Sequence, residues 1–170
     1  MRLAVAWAVL LASVSAQAVA STVDKTLKYE GVGFHVVIAD NVVSIVPSGL
    51  KNNAGVAVKI RGKATGTKVE DLDADGDPEI YIFIRGPGIE ARGRVLAYAT
   101  NRRKSLIPID VPELTDSQAK GYRGHDEYAV VEGNFLRRFR IPGGKVRQIQ
   151  YKLRRDKTGS VLSARETVEF

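Results

Sequence analysis

Cysteine is absent from this chain of 170 residues. That excludes disulfides, a thiol nucleophile and a lipid anchor on cysteine. The fold must be held by its core alone. Histidine is almost absent as well, with only His35 and His125, so bases for nucleophilic catalysis are scarce. No fixed-period repeat, low-complexity stretch or linker-like segment interrupts the chain. Positions 19–170 therefore read as a single domain of about 150 residues, enough to bury roughly 70% of its extended-chain surface.

The long apolar run that does exist lies at the start. Arg2 supplies a positive charge, and Leu3 to Val14 follows as twelve residues with only Ser13 polar. Small residues come next, and cleavage after Ala18 or Ala20 fits the pattern of a secretory signal. Twelve residues fall short of the ~20 that span a bilayer, which is the argument against the alternative of an N-terminal membrane anchor. The expectation is an exported protein, free of the membrane after cleavage. A cysteine-free domain of this size suits a bacterial periplasm.

The formal net charge is +7. An excess of that sign favours an acidic partner or surface. An exported protein rarely meets nucleic acid, and none is expected as a partner. The basic residues are dispersed as Lys59-Arg61-Lys63, Arg102-Arg103-Lys104, Arg137-Arg138-Arg140 and Arg154-Arg155, a pattern common on solvated strand faces and loop tips.

Short runs of β-type residues alternate with turn residues. Phe34 to Ile38 and Val42 to Val46 flank Asp40-Asn41, which predicts a hairpin. Val56, Val58 and Ile60 alternate with Ala57, Lys59 and Arg61 at period two. Ile80 to Ile84 is apolar except for the Tyr81 hydroxyl and predicts a central strand covered on both faces. Leu106 to Val111 carries Pro108 and reads as an edge segment. Glu113 to Lys120 allows a turn or two of helix. Tyr128 to Val131 and Phe135 to Phe139 predict a second hairpin. Ile149, Tyr151 and Leu153 mark another strand, and a last one runs from about Ser160 to Phe170. The pattern predicts an all-β fold, an antiparallel β-sandwich of about eight strands.

Two neighbouring segments carry the candidate chemistry. The acidic turn Asp71-Leu72-Asp73-Ala74-Asp75-Gly76-Asp77 matches the opening of a calcium loop, in which carboxylates alternate along the chain. An EF-hand would need a glutamate at loop position 12, where Ile82 stands. A β-type Ca2+ turn through Asp71, Asp73, Asp75 and Asp77 remains open. The alternative is that these carboxylates accept backbone N–H bonds, with Gly76 at positive φ and Pro78 setting the strand entry. Without calcium, no cofactor is implied.

Beyond the Ile80 strand lies Arg85-Gly86-Pro87-Gly88-Ile89-Glu90-Ala91-Arg92-Gly93-Arg94, and a second strand, Val95-Leu96-Ala97-Tyr98, leads away. The glycines and proline of 85–94 suit a loop that projects from a rigid sheet. Arg85, Arg92 and Arg94 supply guanidinium forks for carboxylates, and Ile89 is an apolar residue near the tip. Catalytic patterns are poor. His125 sits beside Asp126 and Glu127, but neither Ser105 nor Ser117 lies in a nucleophile-elbow signature. The sequence does not read as an enzyme.

Several segments together resemble one family. They are Asp71 to Glu79 entering an apolar strand, Arg85 to Tyr98, Lys104-Ser105-Leu106, and Lys120 to Glu132 leading to Leu136-Arg137-Arg138-Phe139. Arg147 to Leu153 completes the set. Over about 69–153 the chain resembles the periplasmic inhibitors of invertebrate-type (i-type) lysozyme. That resemblance implies a β-sandwich of about eight antiparallel strands, a Gram-negative periplasm, and in some cases a homodimer. It further implies that the 85–94 loop enters the lysozyme cleft and blocks its carboxylates, as in evasion of host defence. The family loop carries Ser-Gly-x-Tyr before a glycine. With Gly93 on that glycine, Ile89 replaces the serine, Glu90 the glycine and Arg92 the tyrosine.

Overall fold

In a computed structural model, residues 23–155 and 159–170 are described. The expected signal segment, 1–18 or 1–20, lies outside them. Among the described residues, no helix is long and apolar enough to cross a membrane.

The fold is all-β. A four-stranded antiparallel meander comprises β1 (Val23–Tyr29), β2 (Val32–Ala39), β3 (Val42–Ser48) and β4 (Val56–Lys59). An eight-stranded sheet follows. Its members are β5 (Lys63–Glu70), β6 (Glu79–Arg85), β7 (Gly93–Ala99), β8 (Ile107–Asp110), β9 (Glu127–Val131), β10 (Asn134–Arg140), β11 (Val146–Arg155) and β12 (Ser160–Glu169). Their order is β5-β6-β7-β8-β12-β11-β10-β9, and the sheet curls until it is nearly closed. Every pairing is antiparallel except a short parallel contact of β8 with β12. One helical turn, α1 (Asp116–Ala119), is capped by Thr115 and Gln118 in a reciprocal box.

The strand count thus exceeds the expected eight. Every run singled out by its pattern is a strand, and β1 and β5 are added. In β1 the inward positions are Val23, Lys25, Leu27 and Tyr29, so a lysine interrupts the apolar alternation. In β5, Gly66 lies beneath the Phe83 ring at a register shift. A phenylalanine roofing a glycine supplies the cover that the glycine lacks. The β2–β3 turn falls at Asp40-Asn41, both at positive φ (50° and 61°), as a tight hairpin requires.

β6 joins two cores. Ile80, Ile82 and Ile84 pack outward against Phe34, Val36, Val43 and Ile45 of the meander. Tyr81 and Phe83 point into the curled sheet, among Phe135, Phe139, Ile149, Tyr151 and Leu162. The central-strand expectation holds: Ile80, Tyr81 and Ile82 are fully buried. The acidic turn sits at the entry of this strand and the 85–94 loop at its exit.

Candidate functional site

The acidic turn closes on itself and on one arginine. Asp71 accepts the Asp75 and Gly76 N–H groups at 3.0 and 2.8 Å. Asp75 accepts the Asp77 N–H at 2.9 Å, and Asp77 accepts the Arg102 N–H. Gly76 has φ 83°. Arg155, at the end of β11, lays its guanidinium among four acidic side chains. It lies 3.2 Å from Asp73, 3.1 Å from Asp75, 3.5 Å from Asp77 and 2.7 Å from Glu79. Glu79 is fully buried and also accepts the Leu72 N–H at 2.8 Å. Burial, with the charges of Asp73 and Asp71, pushes its carboxyl up to about 8 against the opposing pull of that N–H and Arg155.

Carboxylate oxygens of Asp71, Asp73 and Glu79 come within 4.8 Å of one another, but Asp73 and Glu79, like Asp75 and Asp77, are held by Arg155. A calcium ion needs six to eight oxygens. Here the carboxylates are engaged by backbone N–H groups and by a resident guanidinium, and the buried member favours its protonated form. The set fits calcium poorly.

The loop is built differently. Arg85 and Gly93 are paired across β6 and β7, and Gly86 N–H donates to the Arg92 carbonyl at 2.9 Å. Above this base Pro87 to Glu90 form an exposed tip, and Ile89 is 94% exposed. Ala91 turns inward and is buried. Arg92 Nε donates to Glu90 Oε2 at 2.7 Å, and the Arg92 guanidinium lies 5.4 Å above the Tyr122 ring. The hydrogen bond to Glu90 raises the Arg92 pKa further. Arg85 and Arg94 are exposed at the loop base.

The 122–128 segment braces the loop from the side. His125 N–H donates to the Glu90 carbonyl at 2.9 Å. Gly124, at φ 81°, passes so close that a Cβ there would overlap the same carbonyl. Asp126 is the hub. Its carboxylate has no exposed surface. It accepts the Gly93 N–H at 2.6 Å, the Tyr122 hydroxyl at 2.5 Å and Arg137 Nε at 2.7 Å. Burial and this bond to Asp126 push the Tyr122 hydroxyl up to about 12. The loop base is thus welded to β10 through buried, charge-assisted hydrogen bonds.

Comparison of the chain with protein-family models, curated proteins and solved structures finds no match.

His125 holds a turn through its own N–H and a φ of 58°. Ser117 hydrogen-bonds Thr115 at 3.1 Å. Among the described residues neither it nor Ser105 hydrogen-bonds His125. Sequence reasoning missed Asp126 and Arg137 as the brace, and Arg155 as the partner of the acidic turn. Asp126 and Arg137 are brought together only by the tertiary fold, so no local signal marked them. None existed for Arg155, which lies 76 to 82 positions from the carboxylates it meets.

Proposed function

We propose that this chain is an exported inhibitor of lysozyme, i-type by resemblance, that acts in a Gram-negative periplasm. It blocks the glycosidase cleft with the 85–94 loop and performs no chemistry of its own. The observation that carries this reading is a nearly fully exposed isoleucine on a four-residue tip whose base is locked by Asp126. A pre-ordered loop loses little entropy on binding, so the apolar contact it makes is retained as affinity. Ile89 is the apolar anchor. Arg92 is the polar contact for cleft carboxylates, which in glycosidases come in pairs.

The exchange of Ser-Gly-x-Tyr for Ile89-Glu90-Ala91-Arg92 changes the chemistry of that contact. Arg92 is held by Glu90 in the free protein, so reaching a target carboxylate means exchanging one partner for another. Glu90 brings a negative charge to the same cleft. Lysis assays with the purified mature protein against i-type, chicken-type and goose-type lysozymes test the reading. Inhibition of the i-type enzyme is the expected result, with loss on Ile89→Asp. Failure to inhibit any of the three sinks it.

A further inference from the structure

The eight-stranded sheet is split beside the loop. β7 pairs with β6 over its whole length, Gly93 to Ala99, but with β8 only at Tyr98 and Ala99. β8 then turns to β12, and the chain departs through Val111-Pro112-Glu113. The Gly93 N–H is taken by Asp126, so Arg94 to Leu96 form the open strand edge, inside a slot of about 410 Å³. The far wall is Val111 to Glu113, and the roof is Val58 to Arg61 at the end of β4. Val95 and Leu96, which point to opposite faces of the sheet, are both only half-buried along this edge.

We infer that this slot accepts an extended acidic peptide segment, which adds as a strand to the β7 edge. Backbone N–H and C=O groups along β7 would supply the ladder, and side chains at alternate positions would meet the walls. Three open residues span about 10 Å at ~3.4 Å each, room for a segment of three or four residues. The charge of the partner follows from the lining. Lys59, Arg61 and Arg94 enter no ion pair among the described residues, and Glu113 is the one unpaired carboxylate. The slot opens into a second cavity of about 530 Å³, also lined by Arg61, Arg94 and Glu113, which reaches Arg92 and Tyr122. An acidic saccharide would meet the cations but could not form the ladder. This inference stands apart from the inhibitor reading, since the slot lies beside the tip and not on it.

The test uses the purified protein and a fluorescent hexapeptide of alternating glutamate and valine at low salt. Expected is saturable binding with a Kd below about 1 mM, weakened about fivefold or more by Arg61→Glu, a variant whose thermal melt verifies its fold. Two further peptides carry N-methyl groups on the odd or the even residues. Strand addition predicts that one methylated set abolishes binding while the other is tolerated, because alternate N–H groups point to and away from the edge. Equal binding of both sets, or equal displacement by polygalacturonate without any effect of methylation, would show a mere polyanion site and overturn the inference. So would no binding of the unmodified peptide.

Discussion

A single buried carboxylate can decide whether a loop is a tool or a tether, and Asp126 is such a group. It serves three donors from three parts of the chain. Asp126→Asn leaves Arg137, itself buried, without its counter-ion. A loss of about 3–5 kcal/mol in unfolding free energy is expected, because an unpaired buried charge is strongly destabilising. A lower urea midpoint with unchanged slope measures it. Asp24→Asn, which breaks an exposed pair with His35, is the control and should change stability by less than about 1 kcal/mol. Glu79 gives a second expectation. Its carboxyl is raised to about 8 from an ordinary 4.5, so between those values the folded state holds a proton that the unfolded state has lost. Stability contributed by the protonated group therefore declines as pH rises from about 4.5 to 8 and levels off above. Denaturation curves across that window should show the decline, and Glu79→Gln should flatten it. An equally steep profile in the variant would assign the slope to other groups. Neither residue stood out in the sequence. Buried carboxylates earn their partners through tertiary contact, and Asp126 lies 33 positions from Gly93, so no local pattern reveals it.

At the scale of elements, legibility followed apolar contrast. β6 and the β2–β3 hairpin were plain because their isoleucines, valines and turn residues repeat at strand spacing. β1 was hidden by Lys25 facing inward and β5 by Gly66, whose place depends on Phe83 above. The acidic turn was legible as a shape, with Gly76 at positive φ, but its counter-ion was not. Arg155 arrives from the end of β11, so a motif that reads like a calcium loop folds as an arginine-centred turn. The expectation for calcium follows from that geometry. The melting temperature of the native protein should not move between EDTA and millimolar calcium. Arg155→Met should lower it and create a calcium response, since four carboxylates lose their cation together. A calcium shift of several degrees in the native protein would show that the ion competes with the guanidinium.

For the whole molecule, the proposed role as a plug rests on how firmly the sheet delivers the loop. The meander covers the outer face of β6 and the curled sheet its inner face, so the strand that delivers the loop cannot shift without disturbing both cores. The proposed contact is confined to the tip. There Glu90 and Arg92 neutralise each other at 2.7 Å, and their effects on inhibition should be opposite in sign. Arg92→Ala removes a charge-assisted bond to a cleft carboxylate and should weaken lysozyme inhibition roughly tenfold. Glu90→Ala releases Arg92 and removes a like charge from the cleft, so inhibition should strengthen and its salt sensitivity increase. The double variant, assayed beside the singles, separates the two contributions. If Glu90 matters only by occupying Arg92, its removal has no effect once Arg92 is gone. If Glu90 also repels the cleft directly, Glu90→Ala still improves inhibition in the Arg92→Ala background. Asp73→Ala and Asp75→Ala, at the opposite end of β6, should leave inhibition within about twofold once protein folding is verified, because their charges lie beyond the screening length of the tip. Weaker inhibition on Glu90→Ala would reverse this assignment and make the glutamate, not the arginine, the contact that the target reads.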